Sequence, residues 1–97
     1  MFEYKTTPTT KEFAVMAIER YGENAQLDMV TEEASELIQA VCKRKRGRDN
    51  RDNIIDEIAD NDIMREQLKY IALISDTEIE QRKKLKIKKL MARWDAE

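Results

Sequence analysis

The chain has 97 residues, 39% of them charged and 41% hydrophobic, with a net charge of −2. A single domain over 1–97 of this size buries only about 60–65% of its unfolded surface, so a thin core is expected, of the kind that copies of one chain complete by pairing. There is no histidine and one cysteine, Cys42, which excludes Ser-His-Asp and Cys-His triads, zinc sites built on His and Cys, and any internal disulfide.

From the N-terminus, Met1-Phe2-Glu3-Tyr4-Lys5 lacks the apolar region of a signal peptide. No apolar run approaches the roughly 18 residues of a membrane span. With an unpaired cysteine, a reducing cytoplasm is the natural compartment. The first helix opens on the capping box Thr9-Thr10-Lys11-Glu12 after Pro8, carries Phe13, Ala14, Ala17 and Ile18, and stops at Gly22. A second runs from about Asn24 to Lys45, with Leu27, Val30, Ala34, Leu37, Ile38 and Val41 facing inward and Gly47 ending it. The third begins near Asp52 or Asn53, either of which can cap, and runs to about Ile74. Ser75-Asp76-Thr77-Glu78 is a second capping box, opening a fourth helix with a seam of Ile79, Ile87, Leu90, Met91 and Trp94. Strand signals are absent. The expected fold class is all-α, an antiparallel bundle of about four helices.

Two pairs of carboxylates stand out within these helices, Glu33/Glu36 and Glu57/Asp60. The i, i+3 spacing puts both members of a pair on one helix face. On the third helix, Ile54, Ile58, Met64, Leu68, Ile71 and Ala72 project as one apolar stripe with Glu57 near its middle and Asp60 on its edge. A lone carboxylate there would cost about several kcal/mol or stay protonated. Glu33, one turn from Val30 and Leu37, borders the stripe of the second helix. The loop between the two helices is short enough to make them antiparallel neighbours, and helix-borne carboxylates projecting into a bundle are a known way to build a metal site. Hard oxygen ligands suit Mg²⁺ or Mn²⁺; without an EF-hand loop pattern, Ca²⁺ is the weaker match. The bland alternatives are a solvated Glu-x-x-Glu face and, for Glu57, an ion pair with a bundle lysine or arginine.

The compound pattern Thr31-Glu32-Glu33-Ala34-Ser35-Glu36-Leu37-Ile38-Gln39-Ala40, then Ile54-Ile55-Asp56-Glu57-Ile58-Ala59-Asp60, with twenty residues between Glu36 and Glu57, resembles the all-α nucleoside triphosphate pyrophosphatases of the MazG type. The likeness extends to Gln26-Leu27-Asp28-Met29, Lys45-Arg46-Gly47 and Glu66-Gln67-Leu68-Lys69, and covers roughly Tyr21 to Leu90. It is similar in scale to the short, single-domain forms of Gram-positive bacteria and their phages. The resemblance implies Mg²⁺-dependent cleavage of the α–β phosphate bond, giving a nucleoside monophosphate and pyrophosphate, in a homodimer or tetramer. It makes Glu33, Glu36, Glu57 and Asp60 metal ligands, Glu33 central to catalysis, and Glu32 a water-orienting acid. Asn61 and Arg65 depart from the aliphatic residues usual after the second motif, and both project at or near the apolar seam; either they contact the nucleotide, for which Asn61 is the candidate, or they contact an oligomer partner, or the site has drifted.

Five cations, Lys43, Arg44, Lys45, Arg46 and Arg48, crowd the break between the second and third helices. Lys43 lies two turns beyond Glu36, so Lys43 and Arg46 are candidate triphosphate contacts; the plainer reading is a solvated helix end, where cations are favoured. A nucleic-acid patch fits less well, because no aromatic is interleaved for base stacking and the domain is net acidic. A helical interaction module with a degenerate metal site is the remaining alternative. Met64, Met91 and Trp94 read as core, and Phe13, Tyr21 and Tyr70 as residues able to stack on a base, with nothing in the spacing to select one.

Overall fold

Local chemistry sets where each helix starts and stops. The computed structural model describes residues 6–97, so the reading of 1–5 as lacking a signal-peptide region lies outside the described residues. Four helices follow in order: α1 (Thr10–Tyr21), α2 (Glu23–Lys45), α3 (Arg51–Ala72) and α4 (Asp76–Ala96). α1 begins at the expected capping box, with Glu12 N donating to Thr9 Oγ1 at 3.1 Å and Thr9 N donating to Glu12 Oε1 at 2.8 Å. Gly22 alone separates α1 from α2. Its φ of +88° lies where a Cβ would be strained, and it lets one residue end the first helix and start the second.

α2 and α3 form an antiparallel hairpin. Asn50 donates to the Ala40 carbonyl at 3.0 Å, and Asn61, further along α3, donates to the Glu33 carbonyl, earlier on α2, at 2.9 Å. Asn50 stands at the α3 cap in place of the expected Asp52 or Asn53, and its amide is spent on joining the two helices instead of capping. α3 stops at Ala72, short of Ile74, because Leu73 turns into the left-handed region at φ +58°. α1 packs mainly on α3 and also on α2.

The buried apolar residues are Ala14, Ala17, Ala40 and Met64. Three alanines let helix axes approach closely but remove little apolar surface from water. The expected stripes are rotated in part. Ile38 is 62% exposed, Val41 is exposed, and on α3 Ile58 and Ala72 face outward while Asn53, Glu57, Asn61 and Gln67 turn inward. Arg65, expected near the seam, is exposed. The α2–α3 interface therefore runs along a polar row of α3, flanked by aliphatic residues left at the surface.

α4 departs most from expectation. It begins at the predicted Ser75 capping box, but no residue on it is buried and it packs on none of the other helices. Met91 and Trp94, read as core, are exposed. The molecule measures 63 × 36 × 26 Å. That length matches a 22-residue helix of about 33 Å followed by the roughly 31 Å of α4, so α4 projects end-on from a three-helix body. The overall class is all-α as expected; the fourth helix is an arm and not a member of the bundle. Among the described residues no helix is long and apolar enough to cross a membrane.

Candidate metal centre

Glu33 and Glu36 come from the middle of α2, Glu57 from the first half of α3. One carboxylate oxygen from each lies within 4.8 Å of the others, and all three residues are half-buried. The antiparallel hairpin brings them together, since Glu33 and Glu57 are tied at backbone level by one side chain. Asn61 Nδ2 donates to the Glu33 carbonyl at 2.9 Å and to the Glu57 carbonyl at 2.7 Å. One turn before Glu57, Asn53 Nδ2 donates to Glu57 Oε2 at 3.4 Å, and Asn50 in turn donates to Asn53 Oδ1 at 3.2 Å. Asn53, Glu57 and Asn61 are spaced four apart, so they stack along one face of α3.

Two acid oxygens in this cluster are enclosed without a hydrogen-bond donor: Glu33 Oε2 and Glu57 Oε1. Enclosure has an electrostatic consequence. Burial, reinforced by the charges of Glu36 and Asp60, pushes the Glu33 carboxyl up to about 7 from its ordinary 4.5. Burial also raises Glu57, with Glu36, Asp60 and Asp56 adding to it and the Asn53 amide opposing it. These are the marks of anionic groups packed together with nothing positive between them. No lysine or arginine pairs with any of the three among the described residues, which removes the ion-pair reading of Glu57. The donor set is all oxygen, compact and contributed by two rigid helices, and it fits a hard divalent cation.

The remaining sequence-derived candidates sit at different distances from this cluster. Asp60 is exposed at its rim, outside the tight triple, though near enough for its charge to raise both Glu33 and Glu57. Glu32 is exposed, one residue from Glu33 and outside the triple. Lys43 and Arg46 are exposed at the end of α2, with Arg46 as its C-cap, and neither pairs with the acids. Asn61 has its amide hydrogens engaged inside the hairpin, which makes it a brace for the two acid-bearing segments. The site roles of Asn53 and Asn50 are not read from the sequence, where Asn53 is only a possible cap; for Asn53, the four-residue spacing to Glu57 is the available signal.

A second charged cluster was also missed. Lys69 is buried on α3 and pairs with Glu66 at 2.6 Å and with Asp76 at the start of α4; Lys11 on α1 reaches the same two acids at 3.2 and 2.8 Å. The Lys11 and Lys69 ammonium groups hold the Asp76 carboxyl down at about 2. The network ties α1, α3 and the root of α4. Elsewhere, Phe13, Ala17, Tyr21, Met29, Ile63 and Met64 line an apolar cleft of about 420 Å³ between α1, α2 and α3, against which the buried amides Gln26 and Gln67 lie.

No protein-family model, curated protein or solved structure matches the chain.

Proposed function

We propose that this chain is a divalent-metal-dependent nucleoside triphosphate pyrophosphohydrolase of the MazG-like type, cleaving the α–β phosphate bond to release a nucleoside monophosphate and pyrophosphate. The observation that carries the reading is the convergence of Glu33, Glu36 and Glu57 from two helices within 4.8 Å, with two enclosed oxygens lacking any donor. Mg²⁺, with Mn²⁺ as substitute, is the cation this set suits, and Glu33, Glu36 and Glu57 would hold it with Asp60 at the rim. Bound there, the cation supplies neutralisation and polarisation of phosphate oxygens.

The chain's own groups do the rest. Asn61 and Asn53 fix the acid-bearing backbone and the Glu57 carboxylate, so the site is preorganised and not assembled on binding. In this reading Glu32, solvent-facing beside Glu33, orients the attacking water and accepts its proton at a carboxylate oxygen. Lys43 and Arg46 offer exposed cations to the outer phosphates. The thin core supports assembly as a homodimer or tetramer.

The test is a panel of nucleoside triphosphates with Mg²⁺ and direct detection of pyrophosphate. Pyrophosphate released in step with monophosphate supports the reading; orthophosphate release, or none across the panel, overturns it. The uncovered apolar faces favour a second reading, a helical interaction module in which the acids serve only as a metal-stabilised brace. That reading predicts stabilisation by Mg²⁺ with no turnover.

A further inference from the structure

α4 poses a physical problem of its own. A helix of 21 residues with seven cations between Arg82 and Arg93 is helical along its length with no residue fully buried. Isolated helices of this size are marginal in water, and most helical stability in proteins comes from packing an apolar face. Such a face exists. Ile87, Leu90, Met91 and Trp94 fall along one side and are exposed, Trp94 at 66%, while Ile79 near the root is half-buried.

Three observations narrow what covers that face. First, α4 does not fold back on its own body. Its root is clamped in the projecting direction by Asp76, which is held by Lys69 and Lys11, and by the Ser75 capping box after the left-handed Leu73. Folding back would pull the carboxylate of Asp76 from the buried Lys69. Second, charge disfavours pairing of two arms with each other. Against its seven cations the arm carries only Asp76, Glu78, Glu80 and Asp95, so arm meets arm with like charge. Third, the body is complementary: α1–α3 carry thirteen acids against eight cations, and four of those cations lie at the Lys43–Arg51 end. The body also offers an apolar seat, the cleft lined by Phe13, Tyr21, Met29 and Ile63.

We propose that α4 is an exchange arm whose apolar side, centred on Leu90, Met91 and Trp94, docks in the α1–α2–α3 cleft of a second copy of this chain. A two-fold exchange covers both unpartnered faces at once, and two 21-residue arms laid on partners supply more than the roughly 1,000 Å² a stable interface needs. The inference is independent of the proposed catalysis, since no residue in it belongs to the acid cluster.

Trp94 is the only tryptophan, so its fluorescence reports the arm directly. The full chain is diluted in steps while sedimentation and Trp94 emission are followed together. The expected result is a dimer with blue-shifted emission that reddens as monomer appears. Met91→Glu in the arm and Ile63→Glu in the cleft each weaken association by at least roughly tenfold, with circular dichroism checking that the helices persist. As a check that does not depend on weakened variants, chains carrying Cys42→Ser with Ile63→Cys are mixed with chains carrying Cys42→Ser with Leu90→Cys. Oxidation then gives a disulfide between the two different chains and none in either alone. A monomer at all concentrations, an oligomer with solvent-exposed Trp94, blue-shifted emission that ignores dilution, or no mixed disulfide would each overturn the proposal.

Discussion

Asn61 joins the two halves of the acid cluster: its side-chain amide donates to the backbone carbonyl of Glu33 on the facing helix at 2.9 Å, while a second bond at 2.7 Å goes to Glu57 on its own. A hydrogen bond from a half-buried amide to a carbonyl of the facing helix fixes relative position as well as adding stability.

Asn61→Ala should therefore lower stability by about 1–2 kcal/mol and weaken Mg²⁺ binding by about tenfold or more. Arg65→Ala, on an exposed position nearby, should change neither. Calorimetric titration of Mg²⁺ into both variants measures it, and equal affinities for the two would refute the bracing role.

Glu57→Gln should abolish pyrophosphate release while leaving the helices intact. The acids crowd each other without a cation, so removing one charge relieves repulsion, and metal-free thermal stability should hold or rise. Turnover within a few-fold of the unmodified chain would remove Glu57 from the metal set.

The Glu33 carboxyl is raised from 4.5 to about 7 in the folded chain. Between these values the folded state keeps a proton that the unfolded state has lost, so stability falls as pH rises across that window and levels off above it. Glu57 is shifted in the same direction. Metal-free protein should thus melt lower at pH 8 than at pH 5. Mg²⁺ should raise the melting temperature strongly at pH 8 and weakly at pH 5, where Glu33 still holds a proton. An Mg²⁺ effect of equal size at both pH values would contradict this account.

Lys69 and Lys11 share the acids Glu66 and Asp76 but differ in burial. Lys69→Met should strand a partly enclosed Glu66 and cost more stability than Lys11→Met, whose ammonium is exposed and screened by solvent. With Asp76 held at about 2 against its ordinary 3.8, the stability it contributes is present above 3.8 and lost as pH falls towards 2. Lys69→Met should flatten that acid limb of the melting curve; an unchanged limb would show that the network does not anchor α4.

Neutralising Lys43 and Arg46 together should raise KM for the triphosphate with little change in Mg²⁺ affinity, the pattern of lost uniform binding. Kinetics at low salt, where unscreened attraction is largest, decide it. An unchanged KM would return these residues to the role of a solvated helix end.

The helices were legible along the chain because their signals are local. Thr9 with Glu12 and Ser75 with Glu78 close hydrogen-bonded boxes within four residues, and Gly22 takes a positive φ that other residues resist. Spacing also placed Glu33, Glu36 and Glu57 on faces that could meet. Tertiary structure alone decided the rest. Rotation of α3 by part of a turn put Asn53, Asn61 and Gln67 inside and Ile58 outside; of these amides, Asn61 reaches a carbonyl of the facing helix, a bond that depends on how the two helices pack and not on sequence spacing. It decided that Asn61 braces the site, that Asp60 stands at the rim, and that Lys69 lies buried between two acids. The fate of α4 shows the limit most clearly: its apolar spacing identified a face in need of cover, but whether its own body supplies that cover depends on the angle set at Leu73 and Asp76, and there the chain points the helix away from itself.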